Sequence, residues 1–382
     1  MLPNTDVMSS IVERVRGAAA TGTPLRIRGG GSKDFYGQTL TGEILDMTPF
    51  AGVISYEPSE LVVTARAGTK LAELEALLAA QGQCLPFEPP HFQVNGARSE
   101  ATVGGMVAAG LSGPARASVG GVRDYMLGVQ FLNGRAELLT FGGQVMKNVA
   151  GYDVSRLLVG AMGTLGVITE VSLKVLPVAP AEATLVFELS QSQALAQLHR
   201  WGAQPLPLNA SCWVCDDTDG RPRELLFVRL RGAVAAVESA CTRMLGDAGG
   251  TRMDTTLAAA DWQACRDLRL PFFTRGASGC VLWRLSVAQT TPMLELPWPQ
   301  LVEWHGGLRW LWAPLDAAAR LRDVAARAGG QATIFIAKNR DLTGAAGIFS
   351  SLKPPLDVIQ RRLKAEFDPV GIFNRGRLFA ES

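Results

Sequence analysis

Three glycine-rich segments in the first half of the chain have residue types that bind anions through the main chain. They span residues 28–33, which read RGGGSK, then 102–105 and 160–170. Successive glycines can turn their backbone N–H groups towards one point, and such a nest holds a phosphate. Ser32 would add a hydroxyl donor, and Arg28 or Lys33 would add positive charge.

Each of these segments by itself could be an ordinary tight turn. Three of them in one half of the chain favour a ligand long enough to touch all three, such as a dinucleotide. The Rossmann pattern G-x-G-x-x-G at the start of a long helix is absent, and so is the Walker A pattern G-x-x-x-x-G-K-[ST]. The segments therefore predict a dinucleotide site outside those two classes.

Short strands are the predicted elements that would position the glycines. The first segment follows a predicted strand at 24–28, and a strand pair is predicted at 53–56 and 61–65. Val167 begins an alternating apolar pattern that predicts a strand ending at Pro177.

Two local patterns predict where neighbouring elements begin and turn. Ser10 and Glu13 have capping-box spacing, which predicts the start of a helix. Asn133-Gly134 lies between two apolar runs and predicts a hairpin over 126–141 with a two-residue primed turn.

Length and composition indicate more than one domain. The 382 residues, 47% hydrophobic and 19% charged, are enough for two or three cores. The Pro- and Ala-rich segment at 177–183 is the predicted boundary, and strand-like and helix-like segments alternate beyond it, as in an α+β domain. We expect domains at 1–178 and 179–345 and a C-terminal segment at 346–382.

Charge and cysteine content argue against several classes of function. The formal net charge is +2 without a Lys/Arg run, so no nucleic-acid partner is expected. No leader-like N-terminus and no apolar run of spanning length is found, which predicts a cytoplasmic protein with its six cysteines reduced. Cys212 and Cys215 form a single C-x-x-C pair, which is more typical of two thiols on a strand than of an iron–sulfur site.

The order of these motifs resembles the vanillyl-alcohol-oxidase/PCMH-type FAD-binding family. The matching segments are 28–33, 101–105, 163–169 and 368–374, and residues 147–153 are similar to the glycolate oxidase and D-lactate dehydrogenase branch. Over nearly its full length the chain is similar to FAD-binding subunits of glycolate oxidases. The resemblance implies an α+β fold, with a two-part PCMH-type FAD-binding domain, an α+β cap domain and a C-terminal segment that returns to the FAD domain.

The resemblance also implies which residues bind FAD. Amides of residues 29–32 and 104–105 would hold the pyrophosphate, and residues 163–168 would hold the adenosine half. The family often has Asn-Pro-Gly near the C-terminus, where this chain has Asn374-Arg375-Gly376. The implied FAD-binding residues are Arg28, Gly29, Gly30, Gly31, Ser32, Lys33, Pro89, Thr102, Gly104, Gly105, Ala108, Ala109, Ser112, Arg123, Asn148, Gly151, Gly163, Gly166, Val167, Ile168, Asn374 and Gly376.

The few histidines bear on how the flavin is held and on catalysis. Many relatives attach the flavin through a His directly after the loop glycines, and this chain has Ser32 there, so we expect noncovalent FAD. Oxidation of a 2-hydroxy acid needs a base, usually His, and the H-x-G-D-G-N segment of relatives is absent. His91 is the candidate base beside the flavin segments, although a lone His is more often structural, so the catalytic residues stay unassigned.

Three functional hypotheses follow. The first is an FAD-binding subunit of a glycolate oxidase that works with a catalytic flavoprotein subunit and an iron–sulfur subunit, in the cytoplasm or at the inner face of the cell membrane through those partners. The second is a self-sufficient FAD-dependent dehydrogenase of a small 2-hydroxy acid such as D-lactate. The third is an assembly subunit whose flavin module is a relic.

Overall fold

The computed structural model describes residues 4–93, 100–143, 153–218, 220–337 and 347–378. Asn148 and Gly151 of the predicted flavin site lie outside these ranges. Up to residue 177 the elements are α1 (Asn4–Thr21), β1 (Leu25–Arg28), β2 (Glu43–Asp46), β3 (Val53–Glu57), β4 (Val62–Arg66), α2 (Leu71–Ala79), β5 (Gln83–Cys84), α3 (Val103–Ala109), α4 (Arg116–Val119), β6 (Met126–Leu132), β7 (Leu138–Gly142), β8 (Val167–Lys174) and β9 (Leu176–Pro177).

The second half of the chain alternates strands and helices, as its sequence pattern predicts. Its elements are β10 (Ala181–Glu188), α5 (Gln191–Gly202), β11 (Leu208–Asp216), β12 (Arg223–Gly232), α6 (Val234–Ala248), β13 (Thr251–Arg252), α7 (Thr255–Arg266), α8 (Pro271–Arg275), β14 (Val281–Ser286), β15 (Gln300–Glu303), β16 (Leu308–Ala313), α9 (Ala318–Arg327), β17 (Gln331–Ile336) and α10 (Leu356–Phe367).

The chain divides into two compact units. The first unit comprises residues 1–111, 121–177 and 351–382, and the second comprises 112–120 and 178–350. The chain therefore enters the second unit briefly at 112–120, which contains α4. No sequence pattern predicts that excursion, because it depends on long-range contacts.

The first unit is built on a five-stranded antiparallel sheet with the order β3-β4-β8-β6-β7. Helices α2 and α3 contribute to its core through residues at helical spacing, and Leu71, Leu74 and Leu78 of α2 are fully buried. A separate parallel pair, β1 and β2, leads into the first glycine segment. Helix α1 packs beside this pair, with Ile11 and Val15 against Leu25.

Two local predictions in this unit are wrong. Helix α1 is already formed at Asn4, so Ser10 and Glu13 lie inside it, because apolar residues from Val7 onward extend its packing face. The hairpin of β6 and β7 turns through five residues, 133–137, instead of two.

The longer hairpin turn has a physical cause. The Asn133 Oδ1 atom accepts hydrogen bonds from the backbone N–H groups of Arg135 at 2.9 Å and Glu137 at 3.0 Å. The left-handed residue is Ala136, with φ 57°. The Gly134 amide donates to the Phe367 carbonyl at 2.8 Å, so the turn is shaped by the C-terminal segment.

The C-terminal segment is locked into the first unit by one buried carboxylate. Asp368 follows α10, and its carboxylate accepts hydrogen bonds from the amides of Ile372 at 3.0 Å and Phe373 at 2.8 Å. Lys364 pairs with the same carboxylate and donates to the Thr164 carbonyl at 2.7 Å. The pair fixes the return of the chain to β1 and the third glycine segment.

The second unit is an eight-stranded antiparallel sheet with the order β13-β10-β12-β11-β15-β16-β14-β17. One face packs against α5, α6 and α9, where Trp201, Trp213 and Trp283 are buried. Helix α7 lies on the other face, where the Trp262 indole donates to the Thr184 hydroxyl at 2.9 Å. The described part of this unit is therefore an α+β domain, as the sequence predicts.

A histidine with little access to solvent closes the turn between β15 and β16. Trp304 and His305 have φ values of 55° and 53°, which are left-handed values uncommon outside glycine. The His305 ring lies 3.0 Å from the Ser211 hydroxyl through Nδ1 and 3.0 Å from the Ser118 hydroxyl through Nε2. Burial lowers the pKa of His305 from 6.5 to about 4, so the ring is neutral in the folded protein at pH 7.

We predict that His305→Gln flattens the acid dependence of stability. Below pH 6.5 the unfolded chain binds a proton at His305 that the folded protein binds only near pH 4, so the free energy of unfolding falls as the pH drops through this window. The parent should lose about 3 kcal/mol through this group. Urea unfolding from pH 7 to pH 4 measures the slope, with His199→Gln as the histidine control. An unchanged slope in His305→Gln would refute this role.

Candidate functional site

The three glycine-rich segments line one pocket of the first unit. Its volume is about 110 Å³. Fifteen predicted FAD-binding residues line it, namely Arg28, Gly29, Gly30, Gly31, Ser32, Lys33, Thr102, Gly104, Gly105, Ala108, Ala109, Gly163, Gly166, Ile168 and, from the C-terminal segment, Asn374. The β1–β2 pair positions the first segment, α3 carries the second, and the turn before β8 contains the third.

The first segment forms a bare main-chain cradle at the end of β1. A Cβ on Gly30 would overlap the Glu100 carbonyl, and one on Gly29 would overlap the Thr102 hydroxyl, so neither position accepts a side chain. Within the described residues, the N–H groups of residues 29–32 have no protein partner. Unpaired amides gathered at one point are what a phosphate oxygen requires.

The charged residues beside this cradle are paired with one another. Arg28 Nε and Arg26 Nη2 donate to Asp34 Oδ2 at 2.8 and 3.1 Å. Lys33 Nζ lies 3.3 Å from the Ser32 hydroxyl. Asp34 therefore offsets one of the two guanidinium charges, and the main-chain amides add anion-binding groups that carry no net charge.

The two glycines of the second segment have different roles: Gly104 packs against the sheet, and Gly105 lines the pocket. The Gly104 amide donates to the Ala67 carbonyl at 2.8 Å, and a Cβ there would lie 2.6 Å from the Ala67 Cβ. Gly104 thus serves the docking of α3 on the sheet, and its amide is not available to a pyrophosphate. Gly105 has only the Thr102 hydroxyl nearby, so its exposed side belongs to the pocket.

The third segment is attached to the other two by hydrogen bonds. The Met162 amide donates to the Ala108 carbonyl at 2.8 Å, which joins it to α3. Asn374 Nδ2 donates to the Met162 carbonyl at 2.7 Å, and Asn374 Oδ1 accepts from the Ile27 amide at 2.8 Å. Gly163 has φ 71°, and a Cβ there would lie 2.7 Å from Asn374 Nδ2.

Some predicted residues do not line the pocket. Pro89 is buried and Arg123 is exposed, and neither lines the pocket. Val167 packs in the core with Leu25, and Gly376 lies in the C-terminal turn, so these two are also outside the lining. Ser112 lies in the second unit, where its hydroxyl is buried without a hydrogen-bond partner among the described residues. FAD contacts of these residues stay predictions.

Sequence reasoning missed several residues of the pocket. Asp34, Leu40 and Met47 line it, as does Arg377. Arg377 is buried and donates to the carbonyls of Gln38 at 2.9 Å and Lys33 at 3.1 Å, which holds the loop after the cradle. A basic residue three positions after Asn374 was the available signal, but its partners lie more than 300 residues away.

His91, the candidate base, has a structural partner. Its Nε2 atom lies 2.7 Å from Glu75 Oε2 of α2, and its side chain is largely buried. It is not among the residues that line the glycine pocket. This placement favours a role in docking the 85–93 segment on α2.

The fold and pocket define a class of flavoprotein. Residues 7–142 match the family described as FAD binding domain. A solved structure of alkyldihydroxyacetonephosphate synthase is similar with a TM-score of 0.65 at 16% identity, over 95% of this chain and 74% of that one, which shows the same fold. The cradle amides, which have no partner among the described residues, and the glycine positions that leave no room for a Cβ suit the FAD diphosphate, so this region is an FAD-binding domain. The volume of about 110 Å³ accommodates only part of FAD, since drug-sized ligands need roughly 300 Å³ or more.

The sequence relatives narrow the class. The chain is 41% identical over 381 residues to the glycolate oxidase subunit GlcE of Escherichia coli (strain K12), with 100% of both chains covered, so it belongs to that subunit family. The glycolate oxidase subunit GlcD of Bacillus subtilis (strain 168) is 27% identical over 51% of this chain and 40% of its own length. A D-lactate dehydrogenase of Archaeoglobus fulgidus is 32% identical over 40% of this chain and 33% of its own length.

Two properties of the described residues bear on membranes and metals. None of their helices combines the length and apolar character needed to cross a membrane. No group of three or more His, Cys, Asp or Glu residues among them has metal-binding geometry.

We predict that Gly105→Leu weakens FAD binding, whereas Gly104→Leu lowers thermal stability. A leucine side chain at position 105 would occupy the pocket, so FAD affinity should fall at least about tenfold while the thermal midpoint stays near that of the parent. Leucine at position 104 would overlap Ala67 and should lower the midpoint itself. Flavin titration of apoprotein and thermal melts measure both, with Gly17→Leu on the exposed face of α1 as control. Unchanged FAD affinity in Gly105→Leu would contradict the site.

Proposed function

We propose that this chain is the FAD-binding subunit of a glycolate oxidase complex, in which glycolate loses two electrons and two protons to become glyoxylate. The observation that carries the proposal is the full-length similarity to the E. coli subunit, combined with a glycine pocket whose cradle is intact. Bound FAD supplies the redox chemistry, because it accepts an electron pair and passes electrons on.

The residues of this chain would bind and orient the cofactor. Amides of residues 29–32 would donate to the diphosphate, and Gly105 would allow its close approach. Asn374 would hold the cradle against the third glycine segment, which fixes the width of the pocket. Asp34 would hold Arg26 and Arg28 beside the cradle and offset one of their two positive charges.

The pocket lining supports oxidation of the substrate on another subunit. Among the described lining residues no histidine is present, and Asp34, the only carboxylate, accepts hydrogen bonds from two arginines. A base for the hydroxyl proton is usually His. We therefore assign substrate oxidation to a catalytic flavoprotein subunit and onward electron transfer to an iron–sulfur subunit.

We predict that the FAD is noncovalent, because Ser32 occupies the place where many relatives carry the attaching His. Acid precipitation should release all of the flavin into the supernatant, and the intact mass of the denatured protein should equal that of the 382-residue chain. A mass increase equal to one FAD on the chain would contradict this prediction.

We predict that flavin in this chain is needed for turnover of the complex. Complex assembled with Gly105→Leu should contain one flavin fewer per copy of this chain and should lose most glycolate-dependent reduction of a dye acceptor. The Gly17→Leu complex, which carries the control substitution, should retain both. Full activity with the flavin missing would show an assembly role instead. Bleaching of the isolated chain by glycolate or D-lactate would show the self-sufficient dehydrogenase.

A further inference from the structure

A second and larger cavity lies within the second unit. It has a volume of about 650 Å³ and lies between helices α7 and α8 and the sheet face formed by β10, β12, β11, β15 and β16. This size falls within the range of about 300–1,000 Å³ typical of small-molecule sites. All of its lining residues belong to the second unit, so it is separate from the glycine pocket.

Aromatic side chains dominate the lining of this cavity. They come from sheet, helices and the loop before β15, and they are Phe227, Trp262, Phe272, Trp298 and Trp312. The indole N–H of Trp312 donates to the Phe272 carbonyl at 2.9 Å, and that of Trp262 donates to the Thr184 hydroxyl at 2.9 Å. Because both polar N–H groups are satisfied, the rings contribute apolar surface suited to stacking against another ring.

The charges at the cavity argue against an anionic ligand. Asp216, Asp217 and Asp261 are among its lining residues. Arg275 is the only cation among the described lining residues, and it is paired with Asp217. Partial burial raises the pKa of Asp261, and the neighbouring charge of Asp216 raises it further. A small hydroxy-acid carboxylate would find no free cation among these described residues, so the cavity does not suit glycolate.

Four cysteine thiols also line the cavity. Cys212, Cys215, Cys265 and Cys280 line the cavity, and all are free. Hydrogen bonding to Cys212, together with burial, holds the pKa of the Cys265 thiol well above its ordinary value. Neutral thiols are polarisable apolar groups that pack well against rings. A well-packed interior rarely leaves an apolar space of this size, since an unfilled cavity lowers stability.

We propose that this cavity is a binding site for a ring-containing small molecule that carries no negative charge. Its volume, its five aromatic walls and the pairing of its described cation with Asp217 together select that class. The site goes beyond the proposed function, because it shares no residue with the FAD pocket.

The test titrates the full-length, FAD-loaded chain with the uncharged dye Nile red and, separately, with the anionic dye anilinonaphthalene sulfonate. Nile red should bind at one site per chain and quench tryptophan emission, and the anionic dye should bind at least about tenfold more weakly. Ala258 of α7 is buried and lines the cavity, whereas Ala260 of the same helix is exposed and does not. Ala258→Phe should weaken Nile red at least about tenfold, and Ala260→Phe should leave it unchanged.

A measurement on the unmodified chain guards against a folding defect in Ala258→Phe. Nile red should slow alkylation of Cys215, which lines the cavity and is exposed. The proposal would be overturned by equal binding of the two dyes or by a lack of protection of Cys215. Loss of the dye site when partner subunits bind would also overturn it, because the cavity would then be a protein-docking surface. Flavin content, measured in parallel, distinguishes this result from failure of the FAD site.

Discussion

The side-chain amide of Asn374 is the interaction on which the glycine pocket depends. It accepts a hydrogen bond from the Ile27 amide in β1 and donates one to the Met162 carbonyl beside Gly163. Its own backbone N–H donates to the Leu25 carbonyl at 2.9 Å. One buried residue thus joins three parts of the sequence, and leaving any of these groups unpaired would cost about 1–3 kcal/mol. The amide is suited to this because it donates and accepts at once, and because Asn tolerates its φ of 41°.

The position of Asn374 is in turn set by Asp368 and Lys364. The carboxylate satisfies two amides of the turn at 372–373, and the ammonium group bridges the carbonyls of Thr164 and Phe373. A largely buried ion pair of this kind adds little net stability compared with apolar packing, but it fixes direction through hydrogen bonds. The C-terminal segment therefore specifies the geometry of a site whose ligand-binding amides lie near the other end of the chain.

The sequence predicted the parts of this arrangement that are encoded locally. Glycines at 29–31, 104–105 and 163 identify positions where backbone must approach something closely, and all of them line the pocket. The sequence could not show that Gly104 approaches Ala67 whereas Gly105 lines the pocket beside the Thr102 hydroxyl, because both are the same residue type. Sequence reasoning also missed the five-residue turn at 133–137 and the place of Arg377. Both depend on partners that are distant in the chain. The early start of α1 was missed because a capping pattern is only a local preference, and packing of Val7 and Ile11 outweighs it.

A binding site made of main-chain amides depends less on the charged side chains around it. Phosphate sites that depend on arginine lose affinity when salt screens the cation, whereas amides fixed by a rigid cradle act at contact distance. Here the two arginines nearest the cradle share one carboxylate, Asp34, which offsets one of their two positive charges before any ligand binds. Binding then depends on shape, through the absence of Cβ atoms at residues 29–31, and on the hydrogen bonds of Asn374 that keep the cradle closed. Such a site can retain FAD without a covalent link and without a catalytic side chain in its wall, as expected of a subunit that carries a cofactor for a larger enzyme.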